Sequence, residues 1–345
     1  MKKSAKQVKI GGQALFEGIM MRGEEKAAMA IRKKDGTIQV NEWSLGKKKW
    51  YQKAFLIRGV FNFVLQLRDG YKYMMQSAEI SGAFDEDEEP TNRFEKWILD
   101  KFGDKLMDFI MVIGVVLGVA LALLLFMFLP TWSAGFIASF LEDSVKWEPL
   151  IAGLMRIIIF IIYLFLTSLM KDIHKTFQYH GAEHKTIAAN EADLELTVEN
   201  VRSCSRFHPR CGTSFIFLVL AISIIFHTLL PIDREVIREF TGFENSFALS
   251  SILSGIRILF LPVLIAISYE VLKLAGRYDK NIIMRVISAP GLGIQRLTTK
   301  EPTDLQIEVA IASFLPVLPG YLPPPPVTDV TPPSEKGADD EPSGE

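Results

Sequence analysis

Four of the chain's five histidines, His174, His180, His184 and His208, fall within 35 residues, and both cysteines, Cys204 and Cys211, fall there too. At the centre lies Tyr179-His-Gly-Ala-Glu-His184. On a helix, positions i and i+4 share a face, so His180 and His184 can direct their imidazoles at one metal ion. Glu183 stands one residue from His184 and three from His180. This is the H-x-x-E-H order of inverted zinc peptidases, in which the two histidines bind zinc and the glutamate is the general base. Gly181 inside the motif costs a helix about 1 kcal/mol relative to alanine. A divalent metal, with zinc the first choice, needs at least one more ligand. The candidates are Glu191, two turns beyond His184 on nearly the same face, and the set Cys204-x3-His208-x2-Cys211. That spacing matches no common zinc knuckle, although cysteines in a reducing cytosol more often bind metal or pack as small hydrophobes than form a disulfide. A second reading of His180 and His184 stays open, as interfacial histidines bonded to lipid phosphate or a neighbouring carboxylate. His174 reads as a plain interfacial residue, and His208-Pro209-Arg210 reads equally as a turn before the next apolar segment.

These residues sit between long apolar runs. In 345 residues, 38 Lys+Arg face 40 Asp+Glu, a balance with no nucleic-acid signature. The charge is concentrated in residues 1–108 and 273–345. The middle holds runs of about 20 apolar residues, enough to cross a hydrocarbon core, which excludes a purely soluble enzyme. The N-terminus, Met1-Lys-Lys-Ser-Ala-Lys6, carries no apolar secretory leader. The spans are read at Phe109–Leu129, Leu150–Met170, Thr213–Leu230 and Leu249–Leu272. Basic flanks (Arg93, Lys96, Lys101 and Lys105 before the first span, Lys171 to Arg210 after the second, Lys273 to Arg285 after the fourth) place both termini and connector 171–212 in the cytosol. The expected architecture is an α-helical polytopic protein of the inner membrane, with four transmembrane helices and a small N-terminal α+β cytosolic domain. If the second helix continues past Met170, His180 lies about 15 Å beyond it, at or just below the inner headgroups.

The expected domains are a β-rich unit over 1–52, an amphipathic helix and acidic linker over 53–108, the membrane domain over 109–272, a cytosolic segment over 273–315 and a disordered tail over 316–345. Ala28–Ile31 and Thr37–Val40 around Lys34-Asp35-Gly36 predict a hairpin. Apolar residues at helical spacing from Lys53 to Ile80 predict a helix lying along the inner membrane face. Glu301-Pro-Thr-Asp304 predicts a helix start. The proline-rich acidic tail cannot bury a core. Within the spans, Arg156, His227 and Arg257 fall in the outer halves. Charges there are functional candidates by default, or side chains that snorkel to outer phosphates.

Four motifs carry a resemblance. Gly11-Gly-Gln-Ala14 with Glu17-Gly18 and Met20-Met-Arg-Gly23, Tyr179 to His184, His208-Pro-Arg-Cys-Gly-Thr-Ser-Phe215, and Ala289-Pro-Gly-Leu292 with Gln295 to Thr299 and Glu308-Val-Ala310 resemble the YqhQ-like family of bacterial membrane proteins. The resemblance covers roughly residues 8–314 and implies a predicted metal-dependent enzyme. It places His180, Glu183, His184, His208 and Cys211 in the family's polar motifs. Cys204 falls outside them, and Glu17 falls in the first. The expected function is a membrane-bound metal-dependent hydrolase with Glu183 as general base, acting on a peptide, a membrane-protein segment or a lipid-linked ester. The alternative is a non-catalytic adaptor or regulator with a structural metal and a membrane-protein or peptide partner. A small-solute transporter using Arg156, His227 and Arg257 is a third reading, opposed by the lack of a visible repeat or paired broken helices.

Overall fold

The computed structural model describes residues 10–83, 112–138, 140–141, 144–209, 211–230, 232–278 and 281–321. Among them helix predominates, beside one antiparallel sheet of strands β1 (Gly11–Leu15), β2 (Gly18–Arg22), β3 (Lys26–Arg32) and β4 (Ile38–Ser44) in meander order. The expected hairpin is β3–β4. Its turn places Gly36 at φ 84°, and Asp35 Oδ1 accepts from the Thr37 amide and hydroxyl at 2.9 and 2.6 Å.

The sheet does not close on itself, because both of its faces are apolar and four short strands cannot bury two faces. One face (Ile19, Met21, Ala28, Ala30) packs on Tyr179, Ala182 and Ile187, and on Ile307, Ala310 and Phe314. The other (Leu15, Met29, Ile31) packs on Trp43, Tyr73 and Ile80. The residues beyond the strands come from three helices: α1 (Ile57–Ser81), α4 (Lys171–Glu191) and α11 (Asp304–Phe314). The expected 1–52 unit is therefore part of a larger body built from the beginning, middle and end of the described chain. α11 starts at the expected place, with Thr303 and Gln306 forming a capping box. Pro316 and Val317 are buried, and Val317 joins the same core, so order passes the expected 315 boundary. The remainder of the expected tail lies outside the described residues, as do the acidic linker and the basic flank Arg93–Lys105.

Among the described residues, three helices are long and apolar enough to cross a membrane: Val112–Ala138 (α2), Trp147–Ser168, which belongs to α3 (Ser144–Ser168), and Gly212–Leu229 (α6). Val112, Val116 and Leu117 of α2 are at least 60% exposed, a surface suited to lipid. The expected fourth span is instead two helices, α8 (Ser246–Leu259) and α9 (Leu261–Arg277), bent by 46°. Pro262 explains the break: it lacks an amide hydrogen and its ring clashes with the preceding turn. These three helices and one bent pair are consistent with a multi-pass membrane protein.

Four further expectations change. The second helix does not run on to His180: Met170 is extended at ψ 131° and α4 starts afresh, so the 15 Å reach does not apply. Loop 231–248 contains helix α7 (Arg234–Thr241), capped by Asp233. Segment 273–315 contains a second helix, α10 (Ile282–Thr298), whose Ile294 packs on Phe160 and Leu164 of α3. Finally, Arg156, His227 and Arg257 do not snorkel; all three are buried inside the bundle. α1 is amphipathic as expected, with Phe61, Val64, Leu67 and Tyr71 exposed at helical spacing. Its other flank docks on α9, where Arg58 forks onto Glu270.

Candidate metal centre

α4 carries the H-x-x-E-H motif, and the chain after the short helix α5 (Val198–Ser203) returns across it to reach Cys211. Two bonds from one buried ammonium fix that return: Lys185 Nζ donates to the carbonyls of Arg202 and Cys204, each at 2.9 Å, and pairs with Glu301 at 3.0 Å. Gln295 of α10 then clamps the next stretch. Its side chain accepts from the His208 amide and donates to the His208 carbonyl, both at 2.8 Å, and its amide nitrogen also reaches Ser214 Oγ at 3.2 Å. Gly181 has a steric role that offsets its helix cost. The 299–302 segment crosses α4 so closely that the Lys300 carbonyl fills the space a Cβ would occupy.

This scaffold brings His180, His184 and Cys211 together, with their ligand atoms all within 4.8 Å of one another. His180 Nδ1 lies 2.8 Å from the Thr298 carbonyl and His184 Nδ1 lies 2.7 Å from the Arg206 carbonyl. A carbonyl only accepts, so each Nδ1 carries the proton and each Nε2 keeps its lone pair. His180 Nε2 is 3.3 Å from Cys211 Sγ. Zinc bonds of ordinary length imply tetrahedral ligand–ligand edges of about 3.3–3.6 Å. The His180–Cys211 edge falls in that range, and the full triad is somewhat wider. Two neutral imidazoles and one thiol, oriented by backbone carbonyls, are a donor set suited to a divalent cation. Burial holds the His184 imidazole below its usual pKa, partly offset by its bonds to Cys211 and to the Arg206 carbonyl, which favours the neutral form.

The other expected ligands do not join the three. His208 is buried beside them, its ring centroid 5.7 Å from that of His184, but its Nε2 faces Glu191 Oε2 at 3.5 Å. Glu191 thus sits next to His208 and outside the triad. Cys204 Sγ turns away to the Asn200 carbonyl, 3.4 Å off. Glu183 is buried against β1, where a Cβ on Gly12 would come within 2.9 Å of its carboxyl carbon. Burial raises the Glu183 pKa above the usual carboxylate range, against the opposing pull of His180, His208 and the Gly12 amide. Glu17 accepts from the Tyr179 hydroxyl at 3.1 Å and pairs with Lys175. It borders an open cavity of about 570 Å³ with His174, Lys171 and Gln178, on the face of α4 opposite His180 and His184.

A family model described as "Protein of unknown function (DUF1385)" matches residues 55–319. The chain belongs to that family. It is also 32% identical over 309 residues to "Uncharacterized protein YqhQ" of Bacillus subtilis (strain 168), covering 88% of this chain and 90% of the relative. No solved structure matches. The DUF1385 match begins at Phe55, so the sheet that abuts Glu183 precedes it, whereas α4, the Cys211 segment and α10 all lie within it. Within this DUF1385 chain, the residues that sequence reasoning missed are Gln295 and the carbonyls of Arg206 and Thr298. Gln295 and Thr298 stand in a motif that carried the resemblance, but a carbonyl has no side-chain signature to find.

Proposed function

We propose that this protein is a multi-pass protein of the bacterial inner membrane whose cytosolic face holds one divalent cation, zinc, at His180, His184 and Cys211. We further propose that it acts as a metal-dependent hydrolase. Basic flanks support cytosolic termini and a cytosolic 171–212 connector. The observation that carries the metal reading is the pair of carbonyl bonds at Nδ1, which turn both Nε2 lone pairs toward Cys211. Bound there, the cation would polarise a carbonyl and make water a nucleophile at neutral pH. Three protein ligands leave one position for that purpose. Glu183 lies within electrostatic reach of His180 and His208 and accepts from the Gly12 amide; in this reading it takes a proton from the water and returns it to a leaving group. The substrate class is a peptide, a membrane-protein segment or a lipid-linked ester.

A second reading, a structural metal in a membrane adaptor, is favoured by burial. His184 and Cys211 are 2% and 5% exposed, and the large cavity opens on the other side of α4. Glu183→Gln separates the two. The hydrolase reading expects one metal per chain, normal abundance and loss of complementation in a deletion strain. Full complementation with metal retained overturns it and leaves the structural reading. Purified wild-type protein without stoichiometric metal overturns both. An impermeant thiol reagent tests the orientation: both cysteines are expected to stay unlabelled in intact cells, Cys204 to react after lysis, and buried Cys211 only after unfolding with a chelator.

A further inference from the structure

We infer that Arg156 and Arg257 form a buried binding site for one group of the phosphate class, between α2, α3 and α8. Both arginines belong to bundle helices, and they are 6% and 3% exposed. Arg156 Nε donates to the Phe126 carbonyl at 2.6 Å, inside the π-helical turn Leu124–Phe128 of α2. Arg257 Nη1 donates to Thr131 Oγ1 at 3.0 Å, while that hydroxyl donates on to the Met127 carbonyl. Phe126 and Thr131 are five residues apart on one helix, about 7.5 Å along its axis. The two guanidiniums are therefore held as neighbours, and their charges repel.

Among the described residues, neither repulsion nor donor capacity is fully answered. Arg156 Nη2 and Arg257 Nε are buried without a partner. Glu148 lies within electrostatic reach of Arg257 and offsets part of its charge, but its Oε2 takes Arg234 Nε at 2.8 Å and it accepts no bond from either arginine; Asp233 Oδ1 caps α7 through the amides of Glu235 and Val236. Buried guanidiniums are retained where they pair with an anion. Their planar forks match an oxyanion better than a halide.

His227 narrows the class. Its Nδ1 donates to the Ser223 carbonyl at 2.7 Å, so Nε2 is an acceptor, and it is buried without a partner. It lies within electrostatic reach of both arginines. A hydrogen phosphate or phosphate monoester offers anionic oxygens to two guanidiniums and a P–OH to the imidazole; a carboxylate or a phosphodiester lacks that proton. Arg156 is twelve residues before the end of α3 and His227 sixteen after Cys211, or about 18 and 24 Å along their helices. This site is thus separate from the His180–Cys211 cluster.

The test uses the full-length protein in phosphate-free buffer and two probes: inorganic phosphate, and nanodiscs of phosphatidylcholine with or without phosphatidic acid. The readout is the thermal midpoint. Binding of free phosphate raises it with phosphate but not with chloride at equal ionic strength. Binding of a lipid headgroup raises it on adding phosphatidic acid and not on adding free phosphate. In either case Arg156→Gln and Arg257→Gln are expected to weaken the response at least tenfold in midpoint ligand concentration, while Glu183→Gln leaves it intact. Should the Gln variants not fold, Arg156→Lys and Arg257→Lys, which keep charge but lose the fork, are expected to weaken it likewise. The proposal is overturned by a wild type indifferent to both probes, by a response that chloride equals, or by arginine variants that respond as the wild type does.

Discussion

Gly181 and Lys300 are in contact through backbone alone: a Cβ at position 181 would lie 2.0 Å from the Lys300 carbonyl oxygen. Backbone cannot swing aside as a side-chain tip can, and Lys300 is further held by its amide bond to the Phe177 carbonyl at 2.9 Å. Gly181→Ala should therefore destabilise the protein by about 1–3 kcal/mol, as overpacking does, despite the gain in helix propensity. Gly293 of α10 is the control, being exposed with nothing near a built Cβ. Gly293→Ala should stabilise by up to about 1 kcal/mol. Denaturation of both variants in the same detergent checks the opposite signs.

Gln295 should be the costliest polar residue to replace near the centre. Gln295→Leu keeps most of the volume but strands the His208 amide and carbonyl, which Gln295 now satisfies. With about 1–3 kcal/mol for each of the two buried groups left unpaired, the loss should reach roughly 2–6 kcal/mol. Ser214→Ala removes only the 3.2 Å bond and should cost about 1 kcal/mol or less. Equilibrium unfolding gives the ratio; equal losses at the two positions would contradict the clamp.

What was legible in the sequence follows from how each feature is encoded. The H-x-x-E-H helix, the β3–β4 hairpin, the helix start at Glu301–Asp304 and the first three apolar runs are local patterns, and a matching element overlaps each. Pro262 was an unread signal for the bend between α8 and α9. The pairing of Glu191 with His208 and the turn of Cys204 toward Asn200 depend on how the chain returns across α4, and spacing does not encode that path. Nor could hydropathy separate a snorkelling arginine from one facing the bundle, because Arg156 and Arg257 are defined by their neighbours on α2.

The two cysteines should behave differently. Cys211→Ser removes a member of the proposed ligand triad and is expected to lower bound zinc at least tenfold. Cys204→Ser, at the end of α5, should leave zinc content unchanged. Metal analysis of both variants after identical purification decides; zinc lost equally from both would mean that folding, not ligation, had been disturbed.

Arg58 and Glu270 join α1 to α9 through a two-pronged pair, with Nε on Oε1 at 2.7 Å and Nη2 on Oε2. Their side chains are only 19% and 11% exposed. A double-mutant cycle with Arg58→Gln and Glu270→Gln should give a coupling of about 1–2 kcal/mol, above the usual surface pair. Little change with added salt is expected, since screening acts weakly on partly buried charges. Coupling near zero would mean that the close fit of Gly59 on Ala266 and Tyr269 holds this joint alone.

Arg32 of β3 meets Glu308 of α11 at 2.8 Å across a sequence separation of 276. Synthesis is directional, and at the usual 5–20 residues per second that interval lasts roughly 14–55 s. Throughout it, Ile19, Met21, Ala28 and Ala30 have been made while Ile307 and Phe314, which cover them, have not. When α9 has been made, that face has Tyr179, Ala182 and Ile187 of α4 to cover it, and the part that Ile307 and Phe314 cover is still bare. The last α-helix of the described residues is thus a latch, and the sheet can finish folding only after the bundle helices have been made.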